Sequence, residues 1–135
     1  KDKNFNQIVE NFLNKSSEPF ILQKFIPEVK KGDKRVLIIN GNPVAAVQRI
    51  PKNNDIRSNI HVGGTVAKTN LTKNDLKICD AIKEELIKNK LFFVGIDIIG
   101  NYLTEINVTS PTCIQEIKKL SKIDVSRKIW DELLV

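Results

Sequence analysis

The sequence predicts an α+β domain, a mainly antiparallel sheet built from hairpins with helices packed on it. Two pairs of apolar runs carry that prediction. "RVLIING" (35–41) is a β-branched run ending in an Asn-Gly turn signal, and "NPVAAVQRI" (42–50) is its return strand. "LFFVGIDII" (91–99) is a second strong strand, which a tight turn at Gly100-Asn101 sends back as "LTEINV". Amphipathic helices stand around these hairpins instead of alternating with single strands, which argues against a βαβ array. The helices are expected on one face of the sheet.

The remaining elements follow in chain order. Residues 4–15 place Phe5, Ile8, Val9, Phe12 and Leu13 at helical spacing, and "SSEP" ends that helix. "FILQKFI" (20–26) is a short apolar run stopped by Pro27 and reads as a strand leading into a loop. "EVKKGDK" is a charged turn. Residues 51–70 show neither period, and so long an irregular stretch in a compact domain points to a functional or disordered loop. Thr72 has the look of an N-cap, with Asp75 three residues on as in a capping box. Leu76, Cys79, Ile82 and Leu86 then form one face of a helix reaching about Lys90. Pro111 ends the last strand, and Thr112 is placed to cap a helix through about Leu120. Residues 126–135 are expected to be a final helix with Ile129, Trp130, Leu133 and Leu134 inward.

The chain has 135 residues, 41% of them hydrophobic, enough for one domain with a core of its own. No apolar run approaches the length of a membrane span. The net charge of +6 invites a nucleic-acid reading. Against it, the lysines are spread along the chain, and the 6% of aromatic residues do not interleave with them as stacking platforms would. The two cysteines, Cys79 and Cys113, lack metal-ligand spacing, so zinc is not expected and a reduced, cytoplasmic protein fits best. The charged start without Met is no signal peptide and suggests a piece of a longer protein.

One stretch breaks the pattern. In "VGIDIIGNYLTEINVTSPT" (94–112), the apolar alternation is interrupted by Asp97, Glu105 and Asn107. Glu105 and Asn107 share a face, because strand side chains alternate. A three-residue connection puts Asp97 directly across from Glu105; a two-residue one turns it to the other face. Two opposed carboxylates repel. A hard divalent cation such as Mg²⁺ removes that penalty and takes oxygen ligands of this kind. An ordinary solvated sheet face is the other reading, and periodicity alone leaves the two level.

"GDKRVLIINGNPV", "RIP" followed by the long loop with "GG", and above all "DIIG…LTEINVTSPT" resemble the prokaryotic glutathione synthetases, ATP-grasp ligases. The resemblance runs from about Phe20 to Leu120 and is to the C-terminal ATP-grasp portion of an enzyme more than twice as long. It implies ATP-dependent joining of γ-glutamylcysteine and glycine, with Mg²⁺ or Mn²⁺, in a cytoplasmic homo-oligomer that needs neither membrane nor nucleic acid. By position it implies Asp97, Glu105 and Asn107 as metal ligands, which requires the odd connection or a bulge at 100–102. Gln23, Lys24, Phe25 and Ile26 match a hinge strand that meets adenine, and Asp33 an acid near the ribose. Arg35 and Arg49 match arginines facing substrate and the transferring phosphate. Residues 50–65 match a mobile lid, with Arg57, Asn59, Gly63 and Gly64 in its pattern, and residues 51–66 are expected to order with nucleotide. Val108, Thr109 and Ser110 match the edge of the peptide-substrate pocket. The lid departs from the family pattern at Ser58, usually Gly, and at Thr65, usually Arg. His61 lies in the lid stretch, where the chemistry needs no base of its kind. The alternatives are another ATP-grasp carboxylate–amine ligase, or a basic binding module.

Overall fold

The computed structural model describes residues 3–52 and 64–134. The elements run α1 (Phe5–Lys15), a 3₁₀ turn (Pro27–Lys31), β1 (Asp33–Ile39), β2 (Asn42–Ile50), β3 (Thr65–Lys68), α2 (Lys73–Lys88), β4 (Phe93–Ile99), β5 (Tyr102–Asn107), α3 (Ile114–Ser121) and α4 (Val125–Leu133). The five strands form one sheet in the order β3-β2-β1-β4-β5, with every pair antiparallel. The α+β class and both hairpins are as the sequence predicts. Asn40 and Gly41 both take positive φ, +47° and +73°, as a two-residue turn matched to strand twist requires.

Helices cover both faces of the sheet, not one. On one face Val36, Ile38, Val94 and Ile96 pack with Cys79 and Leu86 of α2. On the other Leu37, Ile39, Ala45 and Val47 pack with Cys113, with Ile117 of α3 and with Val125 of α4. The reason is legible in β1: its run Val36–Ile39 is apolar without alternation, the mark of a central strand buried on both sides.

Several other expectations are corrected. Residues 20–26 form no strand; they have no ladder partner among the described residues, and Ile21, Leu22 and Phe25 are exposed. On α1, Phe5, Ile8, Phe12 and Leu13 are exposed, and the Phe12 ring meets that of Phe20 at 4.8 Å. A short strand, β3, lies within the stretch read as irregular; four residues are too few to show a period. The N-cap of α3 is Cys113, with φ +83°, because the Thr112 hydroxyl instead faces Arg35 and the Cys113 sulfur. In α4 only Val125 is buried and Ile129 is half-buried, while Trp130, Leu133 and Leu134 are exposed.

The α2 capping box is present: the Asp75 N–H donates to Thr72 Oγ1 (3.2 Å), and the Thr72 N–H donates to Asp75 Oδ2 (2.7 Å). Lys34 Nζ reaches the same carboxylate oxygen at 2.5 Å and ties α2 to β1 beside the site described below. Burial acts to raise the Asp75 pKa, but the Lys34 hydrogen bond and the Thr72 contacts outweigh it and hold it below the ordinary carboxylate range. With the folded pKa depressed, the ionised side chain stabilises the fold above about pH 4, and that contribution is lost as pH falls through the folded value. Asp75→Asn is therefore expected to cost about 1.5–3 kcal/mol at neutral pH, the worth of hydrogen bonds to a charged group. Urea unfolding at pH 7 and pH 3 checks this; the gap from wild type should narrow at the lower pH.

Candidate active site

Each hairpin carries one β-bulge, and the two bulges together build the site. In β1–β2 the register shifts between Leu37 and Ile38, which brings Asp33 opposite Arg49. In β4–β5 it shifts between Asp97 and Ile98, which brings Asp97 opposite Glu105 although the connection has only the two residues Gly100 and Asn101. Thr104 is the extra residue, and its hydroxyl donates to the Asp97 carbonyl at 3.1 Å. Arg35 stands opposite Asp97 across β1–β4, and Asn107 opposite Gly95. One row of polar side chains thus crosses four strands on the α3–α4 face: Arg49, Asp33, Arg35, Asp97, Glu105, with Asn107 two residues beyond Glu105.

The inner part of the row is a buried ion-pair chain. Arg35 forks onto Asp97 through Nε–Oδ1 (2.5 Å) and Nη2–Oδ2 (2.9 Å). Arg49 forks onto Asp33 through Nε–Oδ1 (2.6 Å) and Nη2–Oδ2 (2.8 Å), and its Nη2 also donates to Asp97 Oδ2 at 2.6 Å. All four residues are under a tenth exposed. Burial acts to lower the Arg49 pKa, but the hydrogen bond to Asp33 and the charges of Asp97 and Asp33 outweigh it and bind its proton more tightly than usual. Arg35 Nη1 makes the loosest contact of the chain, 3.5 Å to Thr112 Oγ1, toward an exposed residue.

The outer part of the row is open. Glu105 is exposed and Asn107 half-buried, its Oδ1 accepting from the Ser110 N–H at 3.3 Å. Val108, Thr109 and Ser110 continue the exposed rim. The two arginines balance Asp33 and Asp97, so Glu105 leaves the row with one net negative charge. Among the described residues no three His, Cys, Asp or Glu side chains stand together as a metal cluster. The donors here are two carboxylates and an amide, all oxygen, and that set suits a hard cation with open positions for other ligands.

Gly95 makes room for this arrangement. A Cβ there would lie 2.9 Å from Pro111 Cβ and 3.2 Å from Arg35 Cδ. Gly95→Ala is expected to push the Pro111 loop or the Arg35 stem aside, at the roughly 1–3 kcal/mol of an overpacked site. A lowered urea midpoint checks it.

A cavity of about 580 Å³ lies at the β5 edge, walled by Gln23, Lys24, Phe25 and Ile26 on one side and by Tyr102, Leu103 and Thr104 on the other. That size suits a small-molecule site. The four residues read as a hinge strand are thus together at a cavity, although they form no strand. Tyr102, Leu103 and Thr104 escaped the sequence reading, since only the bulge at Thr104 sends neighbouring β5 residues to different surroundings. Asp33 does not line this cavity; it stands with Arg49. Arg57, Asn59, His61 and Gly63, and with them most of the lid read over 51–66, lie outside the described residues. Gly64 directly precedes β3, which takes up Thr65 and Val66.

The small antiparallel sheet covered by helices on both faces, with its oxygen-rich row and a ligand-sized cavity at the β5 edge, falls in the ATP-grasp class by its match to that class's family model. Within that class the chain belongs to the family described as "Prokaryotic glutathione synthetase, ATP-grasp domain", whose model matches residues 1–122. It is 47% identical over 132 residues to the glutathione synthetase of Agrobacterium fabrum, covering 98% of this chain and 41% of that protein. It is 47% identical over 128 residues to that of Synechocystis sp. (95% and 40%), and 48% identical over 127 residues to that of Prochlorococcus marinus (94% and 41%). The chain spans about two fifths of the length of these curated relatives.

Proposed function

We propose that this chain is the C-terminal part of the ATP-grasp domain of a glutathione synthetase, which joins γ-glutamylcysteine to glycine at the expense of ATP. The observation that carries the reading is the polar row across four strands, found in a chain of this family. In the reaction, a carboxylate oxygen of γ-glutamylcysteine bonds to the γ-phosphorus as the bond to ADP breaks. The glycine amine then bonds to the acyl carbon, phosphate leaves, and the amine gives up a proton.

Residues of this chain supply three parts of that chemistry. The cavity walled by residues 23–26 and 102–104 takes the adenine. Arg35 and Arg49 stabilise the anionic acyl phosphate through charge-assisted N–H bonds, with Arg35 Nη1 held only by a 3.5 Å contact to Thr112 Oγ1. Asp97, Glu105 and Asn107 would hold Mg²⁺, or Mn²⁺, which share a preference for oxygen donors. When bound, that cation neutralises charge on the transferring phosphoryl group. Val108, Thr109 and Ser110, exposed just past Asn107, border the dipeptide, a role the family resemblance implies. The lid roles of Arg57, Asn59, Gly63 and Gly64 rest on sequence resemblance alone. A cytoplasmic setting is supported by two free, buried cysteines, with Cys79 pushed up to about 11 by burial and by the nearby Asp75 and Asp80. No helix among the described residues is long and apolar enough to cross a membrane. The full-length protein is proposed to be a homo-oligomer, and the 135-residue piece alone to be inactive.

The test is ATP turnover by the full-length protein with γ-glutamylcysteine, with and without glycine, repeated with Asn107→Ala. Glycine-dependent turnover that the substitution abolishes is expected. Turnover indifferent to glycine, yet lost in the variant, would move the substrate assignment to another ATP-grasp ligase.

A further inference from the structure

We propose that the exposed apolar face of α4 docks on α4 of a second copy of this chain, the two helices lying antiparallel across a two-fold axis. The proposal gives a surface to the homo-oligomer proposed above and rests on that reading, not on the ligase chemistry. Helical spacing divides the apolar side of α4 into two edges. Val125 and Ile129 pack on the core with Ile117 of α3. Trp130, Leu133 and Leu134 turn away from it and are 60%, 52% and 81% exposed among the described residues. A tryptophan and two leucines side by side are the kind of anchor that interfaces bury. The charge beside this face says what covers it. Arg127 and Asp131 stand one turn apart along its outer border, both exposed, with Arg127 Nε 3.7 Å from Asp131 Oδ2. The inner border is the buried edge of Val125 and Ile129. In an antiparallel pair about a two-fold axis, the outer borders meet each other. Arg127 of each copy then faces Asp131 of the other, and the contact occurs twice. The patch is complementary to itself. The midpoint of positions 127 and 131 is 129, so Trp130 falls beside the axis and meets its own copy. A parallel pair would set this charged border against the partner's buried edge, where the core already lies. Exposed ion pairs of this kind add little affinity; they set orientation and register.

The test is sedimentation of the full-length protein over a dilution series, as wild type and as the single variants Arg127→Glu and Asp131→Lys. Both positions are exposed, so the substitutions leave the fold in place. Arg127→Glu sets a second acid against the partner's acid, and Asp131→Lys a second base against its base. Like charges brought together across an interface are costly, and each variant alone is expected to associate at least about tenfold more weakly. Mixed in equal amounts, the two variants are expected to associate again, because both contacts in the mixed pair join opposite charges. That recovery cannot come from the Arg127–Asp131 contact within one helix, which each variant breaks for itself. Trp130→Ala is expected to weaken association at least about tenfold as well, with no recovery on mixing with either charge variant. Single variants that sediment as wild type overturn the proposal: the rest of the full-length chain then covers this face, or the oligomer uses another surface. A mixture that stays dissociated overturns it too. A wild-type protein that is a monomer throughout the series overturns the homo-oligomer reading and this surface with it, whereas an oligomer indifferent to both charge variants overturns the α4 surface alone.

Discussion

Asp97→Ala is expected to cost about 3–5 kcal/mol of folding stability as well as the activity of the whole enzyme. The stability loss follows from what remains behind. Asp97 accepts three hydrogen bonds from two guanidinium groups, and Arg35, Arg49 and Asp97 are all about 95% buried. Among the described residues, its removal leaves Arg35 with no carboxylate partner and Arg49 with Asp33. An uncompensated buried charge is what makes broken internal ion pairs costly, more than any intrinsic worth of the pair. A second variant separates that penalty from function. Asp97→Leu combined with Arg35→Met removes both charges of the tighter pair and should recover much of the stability, because neighbours that share one network are not additive. Activity should stay lost. Urea midpoints of the single and double variants, beside turnover of the full-length protein, check both halves. If Asp97→Ala unfolds at the wild-type midpoint, the buried chain is not holding the sheet together.

How far the sequence could be read turns on the two bulges. The Asn40-Gly41 and Gly100-Asn101 turns announce themselves, and a plain two-residue hairpin follows from each. Plain hairpins would have placed Arg49 and Glu105 on the opposite faces from Asp33 and Asp97. A single extra residue in each pair reverses that, Val44 of β2 opposite the Leu37–Ile38 step and Thr104 of β5 opposite the Asp97–Ile98 step. Bulges next to functional sites commonly re-aim side chains in this way, and they leave no periodic trace. So the polar interruption at Asp97, Glu105 and Asn107 was visible, the open alternative was its phase, and resemblance required an irregularity close to where one occurs. Arg35 and Arg49 read as surface decoration on pattern alone; only the cross-strand register shows them buried on carboxylates. The ends of the chain misread for a different reason. The spacing reads α1 as a helix and sets the apolar residues of the last helix inward, yet period shows which residues share a face, not what the face touches. Trp130 at 60% exposure and Ile8 at 57% follow the helical spacing and still stand exposed among the described residues.

Glu105→Gln separates the cation reading from the solvated-face reading most cleanly, because Glu105 is the one member of the acid pair with nothing buried to lose. It is exposed on the edge strand β5, directly opposite Asp97. Neutralising it should leave stability within about 0.5 kcal/mol of wild type, as surface substitutions usually do. Any shift should be upward, since directly opposed like charges on neighbouring strands destabilise a sheet. Mn²⁺ affinity, read by the paramagnetic signal of the free ion, should fall at least tenfold, and turnover of the whole enzyme by about 100-fold or more, as for loss of one preorganised electrostatic contact. Unchanged Mn²⁺ affinity and unchanged turnover would return Glu105 to an ordinary solvated acid. The Asp97 result alone could not decide this, because that variant loses activity by unfolding in either case. Glu105 can, because it would touch the cation without belonging to the buried ion-pair chain, whereas Asp97 serves both.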